Sequence, residues 1–84
     1  MNGAQFKKMR NTFGYSRKEL STHLGISDKT LQLKEEVRNQ DVPVRYLIAV
    51  EMLVGSAWFY KVAGDIDENS IPKSKTAFKK GVLK

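Results

Sequence analysis

The stretch that decides the fold is residues 14–36, GYSRKELSTHLGISDKTLQLKEE. Ser16 and Glu19 stand three residues apart and match a capping box, which predicts that a helix begins at Ser16. Gly25 can adopt the left-handed conformation that closes a helix, and Ser27 can cap a second helix directly afterwards. The sequence therefore predicts two short helices that are joined by a very tight turn.

The two predicted helices, residues 16–24 and 27–37, have the lengths and the short connection of a helix-turn-helix. Apolar side chains at helical spacing would form the seam between them: Leu20, Leu24, Ile26 and Leu31. Ser21 is small enough to allow the helices to approach closely. Cap, turn and seam thus indicate the same motif.

A further helix is predicted before this pair. Phe6, Met9 and Phe13 recur at three- and four-residue spacing, which predicts a first helix over about residues 4–12 with one apolar face. The same helical spacing turns Arg10 towards that apolar face. An unpaired charge would be costly there, so Arg10 is not expected to contact a partner molecule.

A fourth helix is predicted to begin near Pro43, because proline is well suited to the first turn of a helix. Its core-facing residues are predicted to be Val44, Leu47, Ile48, Leu53 and Val54. The stretch 46–60 is apolar around nearly its whole circumference and is expected to form the centre of the core. Phe59 is expected to end this helix or to begin a fifth.

Composition limits the class of protein. The chain has 84 residues, of which 40% are hydrophobic and 29% charged, as in one small globular domain. We expect an all-α bundle of four to five helices in residues 1–63 and a flexible basic tail in residues 64–84. With no cysteine and with His23 as the one histidine, a disulfide scaffold, a zinc finger or another metal site is not expected.

No catalytic site is expected either. The sequence has no glycine-rich phosphate loop, no paired acid and base carboxylates and no triad order, so it predicts a protein that is not an enzyme. For the same reason we expect no cofactor and no small-molecule ligand. The function is therefore expected to be binding.

The charge points to an anionic partner. The net charge is +6, and residues 1–34 contain seven lysines and arginines against two acidic residues. Membrane insertion is not expected, because Glu51 and Gly55 interrupt the apolar stretch well short of the roughly 18–20 residues needed to cross a bilayer. The amino terminus lacks the apolar core of a signal peptide, so we expect a cytoplasmic protein.

The quoted segment resembles the Cro/C1-type helix-turn-helix family, the repressor-like DNA-binding domains of phages and bacteria. The resemblance covers about residues 4–55 and implies five helices around one core, with the third helix in the major groove of double-stranded DNA. Carried over by position, the residues that would face base edges are Ser27, Asp28, Lys29, Gln32 and Leu33. Those that would face the DNA backbone are Arg17, Lys18, Lys34, Arg38, Asn39 and Arg45.

The base-edge candidates differ in their chemistry. Lys29 can donate to guanine O6 or N7, and Gln32 can pair with adenine. Asp28 can accept a hydrogen bond from cytosine N4, and Leu33 can pack on a thymine methyl group. We expect Lys29 and Gln32 to contribute most.

The resemblance also bears on the packing of the third helix. It implies a structural ion pair between Arg10 and Glu35, which agrees with the inward phase of Arg10. The sequence departs from the family's pattern at Lys34, where members of that family commonly have a large apolar residue. Either the lysine stem covers the core, or the helix is rotated and Leu33 exchanges roles with Lys34.

Together these features predict a sequence-specific DNA-binding transcriptional regulator, acting as a dimeric repressor of phage or mobile-element type on a palindromic operator within the nucleoid. The predicted homodimer forms through the fourth helix and the cluster Trp58, Phe59 and Tyr60. Stacking of these rings on single-stranded bases is a weaker alternative. An alternative function is a protein-interaction module of antitoxin or polymerase-binding type, and another is the targeting domain of a recombinase-type assembly.

Overall fold

Five α-helices account for most of residues 1–67, the part of the chain that the computed structural model describes. In chain order they are α1 (Gly3–Phe13), α2 (Arg17–Leu24), α3 (Asp28–Glu35), α4 (Val44–Val54) and α5 (Ser56–Ile66). The predicted all-α helical bundle is therefore confirmed. The predicted basic tail lies outside the described residues from residue 68 onwards, and the domain division after residue 63 stays a prediction, although α5 continues beyond it.

The predicted helix boundaries around the turn are present in the structure. The Ser16 hydroxyl accepts a hydrogen bond from the Glu19 backbone N–H, and the Glu19 carboxylate accepts one from the Ser16 N–H, which completes the capping box. Gly25 closes α2 with a φ of 72°, in the left-handed region that favours glycine. Ser27 caps α3. Helix α3 ends at Glu35, two residues before its predicted end at Val37.

The inward face of α4 differs from the prediction. Tyr46 and Val50 are its buried residues, and the Tyr46 ring lies 6.0 Å from that of Phe6 between centroids. The prediction that Val44 and Ile48 face the core is wrong, since these side chains are 68% and 51% exposed. The apolar residues of this helix lie on nearly all of its sides, so periodicity alone could not identify the side that packs inward.

The apolar stretch 46–60 forms two helices rather than one. Gly55 separates them with a φ of 94° and a ψ of 145°. The three other predicted core residues of α4 pack against the core while partly buried: Leu47, Leu53 and Val54. Both helices are 11 residues long, and among residues 1–67 no helix has the length and hydropathy needed to cross a membrane.

The start of α1 packs directly against the end of α3. The Gly3 N–H donates to the Val37 carbonyl at 2.8 Å. A Cβ atom on Gly3 would overlap the carbonyl oxygen of Lys34, so only glycine allows this close approach. The contact holds the C-terminal end of α3 in place.

Candidate nucleic-acid interface

Helix α3 has one buried side and one exposed side. Leu31 and Glu35 are buried among the other helices. Lys29 and Leu33 lie one turn apart on the exposed side, and Leu33 is 53% exposed; Gln32 is half-buried. Of the residues that the resemblance assigns to base edges, Lys29 and Leu33 therefore lie on the solvent-facing side of α3, the second helix of the motif.

A buried ion pair fixes the orientation of this helix. Arg10 Nε donates to Glu35 Oε2 at 2.7 Å, and Arg10 Nη2 donates to Glu35 Oε1 at 3.1 Å. Arg10 Nη1 also donates to the Tyr15 carbonyl at 2.9 Å. The predicted pair is thus formed, and it joins α1, the loop before α2 and the last residue of α3.

The Ser27 hydroxyl is committed to the helix cap. It accepts a hydrogen bond from the Thr30 N–H at 3.0 Å and donates one to Thr30 Oγ1 at 2.8 Å. Lys29, by contrast, is exposed, and among residues 1–67 no hydrogen bond or ion pair engages its ammonium group. Of these two predicted base-edge residues, Lys29 is the better placed to reach an external acceptor.

The alternative in which α3 is rotated to bury Leu33 is wrong. Leu33 and Lys34 are both exposed. The backbone of Gly3 packs beside the carbonyl of Lys34.

The first residues of α2 and α3 form an ion pair that was not predicted. Arg17 Nε donates to Asp28 Oδ1 at 2.7 Å, and Arg17 Nη2 donates to Asp28 Oδ2 at 3.1 Å. The hydrogen bond from Arg17 lowers the pKa of Asp28, and the same bond raises the pKa of Arg17. The resemblance assigns Arg17 to a phosphate and Asp28 to a base edge, with no contact between them. Their positions at the starts of two helices joined by a tight turn were the available signal.

Apart from Arg17 and the exposed Lys34 of α3, the predicted backbone contacts are spread over three elements. The exposed side chains among them are Lys18 on α2, Arg38 and Asn39 in the loop after α3, and Arg45 on α4. The Arg45 guanidinium carbon lies 5.4 Å from the centroid of the Tyr46 ring, within the range of a cation–π contact. All four side chains are accessible to an anionic partner.

The predicted dimer cluster does not form one surface. Phe59 is buried in the core, so its assignment to a dimer interface is wrong. Tyr60 is half-buried, with its ring 5.3 Å from that of Phe59. Trp58 is 49% exposed and packs edge-on against Phe13 at 4.8 Å between centroids. Packing of this kind also disfavours a stacking platform for single-stranded bases.

A row of exposed apolar side chains lies on α4, the helix through which the sequence predicts the dimer, but two of its residues were predicted to face the core. Val44, Ile48 and Met52 are spaced by four residues and so lie along one side of the helix; Met52 is 81% exposed. We call these three residues the α4 stripe. One indication of this exposed row was present in the sequence: the helix has apolar residues on more sides than a single core can cover.

Within residues 1–67, no group of three histidine, aspartate or glutamate side chains is arranged to hold a metal ion. Comparisons of the chain with protein-family models, with curated proteins and with solved structures give no match. The function is therefore inferred from the residues of the chain itself.

Proposed function

We propose that this chain is a Cro/C1-type DNA-binding protein, a transcriptional regulator that represses by occupying a palindromic operator as a dimer. The observation that carries the proposal is the exposed side of α3. It presents Lys29 and Leu33, with the half-buried Gln32 on the same helix; a donor, an apolar side chain and an amide are the groups that read guanine, thymine and adenine edges. Binding to the operator is itself the mechanism of repression, and it involves no catalytic step. Such binding would place the protein on the nucleoid.

The rigid attachment of α3 supports the proposal. The Arg10–Glu35 pair and the close contact of Gly3 hold its buried side at two points near its C-terminal end. A base-reading side chain must be held within a fraction of an ångström, and such packing restricts how α3 can move. The cations Arg17 and Lys18, at the start of α2, would contact phosphates beside it.

The α4 stripe supports dimer formation. In a two-fold interface each surface packs against its own copy. The ridge Val44–Ile48–Met52 is evenly spaced about Ile48, so it can pack into the groove beside the same ridge of a second copy, with Ile48 near the two-fold axis. A dimer would carry two copies of α3, which must lie about 34 Å apart to enter successive major grooves.

The same stripe favours a second candidate function. An exposed apolar row on a small protein also marks a surface for a different protein. In that case the chain is a protein-interaction module, of antitoxin or polymerase-binding type, without an operator of its own. Salt dependence separates the two candidates, because phosphate contacts release counterions and an apolar interface does not.

The test is binding to a fluorescently labelled DNA duplex, followed by anisotropy between 50 and 300 mM salt, roughly the range over which such contacts weaken. The logarithm of the binding constant is expected to fall linearly with the logarithm of salt concentration, by about 0.9 for each phosphate contacted. Lys18→Ala should reduce that slope by about one unit, while Lys61→Ala, an exposed lysine of α5, should leave it unchanged. Absence of duplex binding at the lowest salt concentration would overturn the proposal.

A further inference from the structure

The ion pair between Arg17 and Asp28 links the first residues of the two helices of the helix-turn-helix. Arg17 is the first residue of α2, and Asp28 is the first residue of α3. The pair is bidentate, at 2.7 and 3.1 Å, and both side chains remain partly exposed, at 37% and 46%. The arginine therefore fixes the carboxylate while both are still open to solvent.

The pair uses one edge of the guanidinium group. Nε and Nη2 donate to the carboxylate, and among residues 1–67 no acceptor engages Nη1 of Arg17. Because arginine has five N–H donors in a rigid plane, the free edge can still bind a phosphate oxygen. One side chain can thus hold Asp28 and contact the DNA backbone at the same time.

The carboxylate also keeps free acceptor positions. Each oxygen of Asp28 accepts one bond from Arg17, whereas an ionised carboxylate has about four acceptor sites in all. In the major groove, cytosine N4 is a donor without an adjacent acceptor on its own base, while guanine presents only acceptors and adenine presents an acceptor beside its donor. A carboxylate held at the groove therefore favours cytosine.

Resting on the DNA-binding function proposed above, we infer that Arg17 is a positioning residue that makes Asp28 a reader of cytosine at one base pair in each half-site. The positive charge of Arg17 also offsets the repulsion between the Asp28 carboxylate and the DNA phosphates. A base preference thus depends on a side chain that touches only the backbone. If Arg17 were a phosphate clamp alone, its replacement would weaken all sequences alike.

The substitution Arg17→Lys separates charge from geometry. Lysine keeps the positive charge, but it lacks the planar fork that donates to both carboxylate oxygens from one edge and leaves another edge for a phosphate. Asp28→Asn keeps the size of the side chain and replaces one acceptor oxygen by a donor. Lys18→Ala is the matched control, because it removes a neighbouring cation that forms no hydrogen bond or ion pair with Asp28.

The experiment selects bound duplexes from a random pool with the wild type, Arg17→Lys, Asp28→Asn, the double variant and Lys18→Ala. The wild type is expected to prefer cytosine at one position of each half-site by about fivefold or more. Arg17→Lys and Asp28→Asn should each abolish that preference while the other positions persist, and the double variant should add no further loss. Lys18→Ala should keep the preference at lower affinity for every sequence.

The inference is overturned if Arg17→Lys keeps the full cytosine preference, or if the wild-type half-site has no position whose cytosine preference depends on Asp28. If the wild type selects no duplex at all, the proposed function is itself wrong, and the inference fails with it. Thermal unfolding of each variant identifies any loss that arises from unfolding instead of from altered contacts.

Discussion

Arg10 of α1 and Glu35 of α3 share a buried bidentate ion pair, with Nε–Oε2 and Nη2–Oε1 distances of 2.7 and 3.1 Å. Glu35 is the last residue of α3, so the pair fixes the end of the helix that carries Lys29 and Leu33. A third hydrogen bond, from Arg10 to the Tyr15 carbonyl, extends the anchor to the start of the helix-turn-helix. Stability and the orientation of α3 are therefore coupled.

We expect Arg10→Met to destabilise the protein strongly. It leaves the Glu35 carboxylate buried without its partner, and the loss of one member of such a pair lowers the free energy of unfolding by about 3–5 kcal/mol. Urea unfolding measures the change. Lys7→Met, at an exposed position of the same helix, should stay within about 0.5 kcal/mol of the wild type.

The double variant Arg10→Met with Glu35→Leu tests the reason for that loss. Removal of both charges should recover much of the stability, because no unpaired charge then remains in the core. Equal stability of Arg10→Met and Lys7→Met would show that the pair makes no such contribution.

We expect Gly3→Ala to be destabilising as well. The added methyl group would overlap the Lys34 carbonyl, and forced overlap in a packed region costs about 1–3 kcal/mol. Gly64→Ala is the matched control, since a Cβ at this helical position of α5 meets no atom within 4 Å. It should stabilise α5 by about 0.5–1 kcal/mol. Thermal unfolding of the two variants should therefore shift in opposite directions.

The local signals in the sequence were sufficient to predict the helix-turn-helix. Ser16, Glu19, Gly25 and Ser27 act through atoms within a few residues of themselves, so their roles follow from spacing alone. The inward phase of Arg10 was also predictable, because a helical period fixes it. These features depend little on the rest of the fold.

The contacts that the sequence analysis missed are set by tertiary packing. Nothing near Gly3 in the sequence indicates that it packs against Lys34, which lies on another helix. In the same way, Tyr46 and not Ile48 is buried because of the position of Phe6 on α1. An apolar helix such as α4 offers several possible inward faces, and only the surrounding helices determine which one is used.

The acid dependence of stability is expected to involve Asp28 and Glu19. The hydrogen bond from Arg17 lowers the pKa of Asp28, and that from the Ser16 N–H lowers the pKa of Glu19. A carboxylate whose pKa is lowered by folding stabilises the folded state above its unfolded pKa of about 4, and this stabilisation is lost as the pH falls through the lowered pKa. These two groups should therefore add no pH dependence between about pH 5 and 7.

Urea unfolding between about pH 2 and 7 tests this expectation, because the range spans the unfolded carboxylate pKa. The double variant Asp28→Asn with Glu19→Gln should show a shallower loss of stability below about pH 4 than the wild type. The same slope in both proteins would contradict the assignment of acid sensitivity to these two carboxylates.

Met52→Lys is expected to weaken dimer formation. It places a charge at the most exposed position of the α4 stripe, so the stability of the monomer should change by no more than about 0.5 kcal/mol. Sedimentation equilibrium should show a shift from dimer to monomer. Asn11→Lys adds the same charge at an exposed position of α1 and should leave the association unchanged. Identical association of the wild type and Met52→Lys would place the dimer contact elsewhere.

Lys29→Ala is expected to affect specific and non-specific binding differently. Loss of the proposed contact to guanine should weaken binding to the selected site by about 1–3 kcal/mol and leave binding to unrelated duplexes nearly unchanged. Competition anisotropy with the two kinds of duplex measures both quantities. An equal loss on all sequences would reassign Lys29 to the DNA backbone.

The most direct measurement of the central claim is selection of bound fragments from a random pool of duplex DNA by the purified protein at low ionic strength. The account predicts a two-fold symmetric consensus, with half-sites about 10 base pairs apart between their centres. Recovery of a pool without any enriched sequence would contradict it, because the exposed side of α3 would then read no bases.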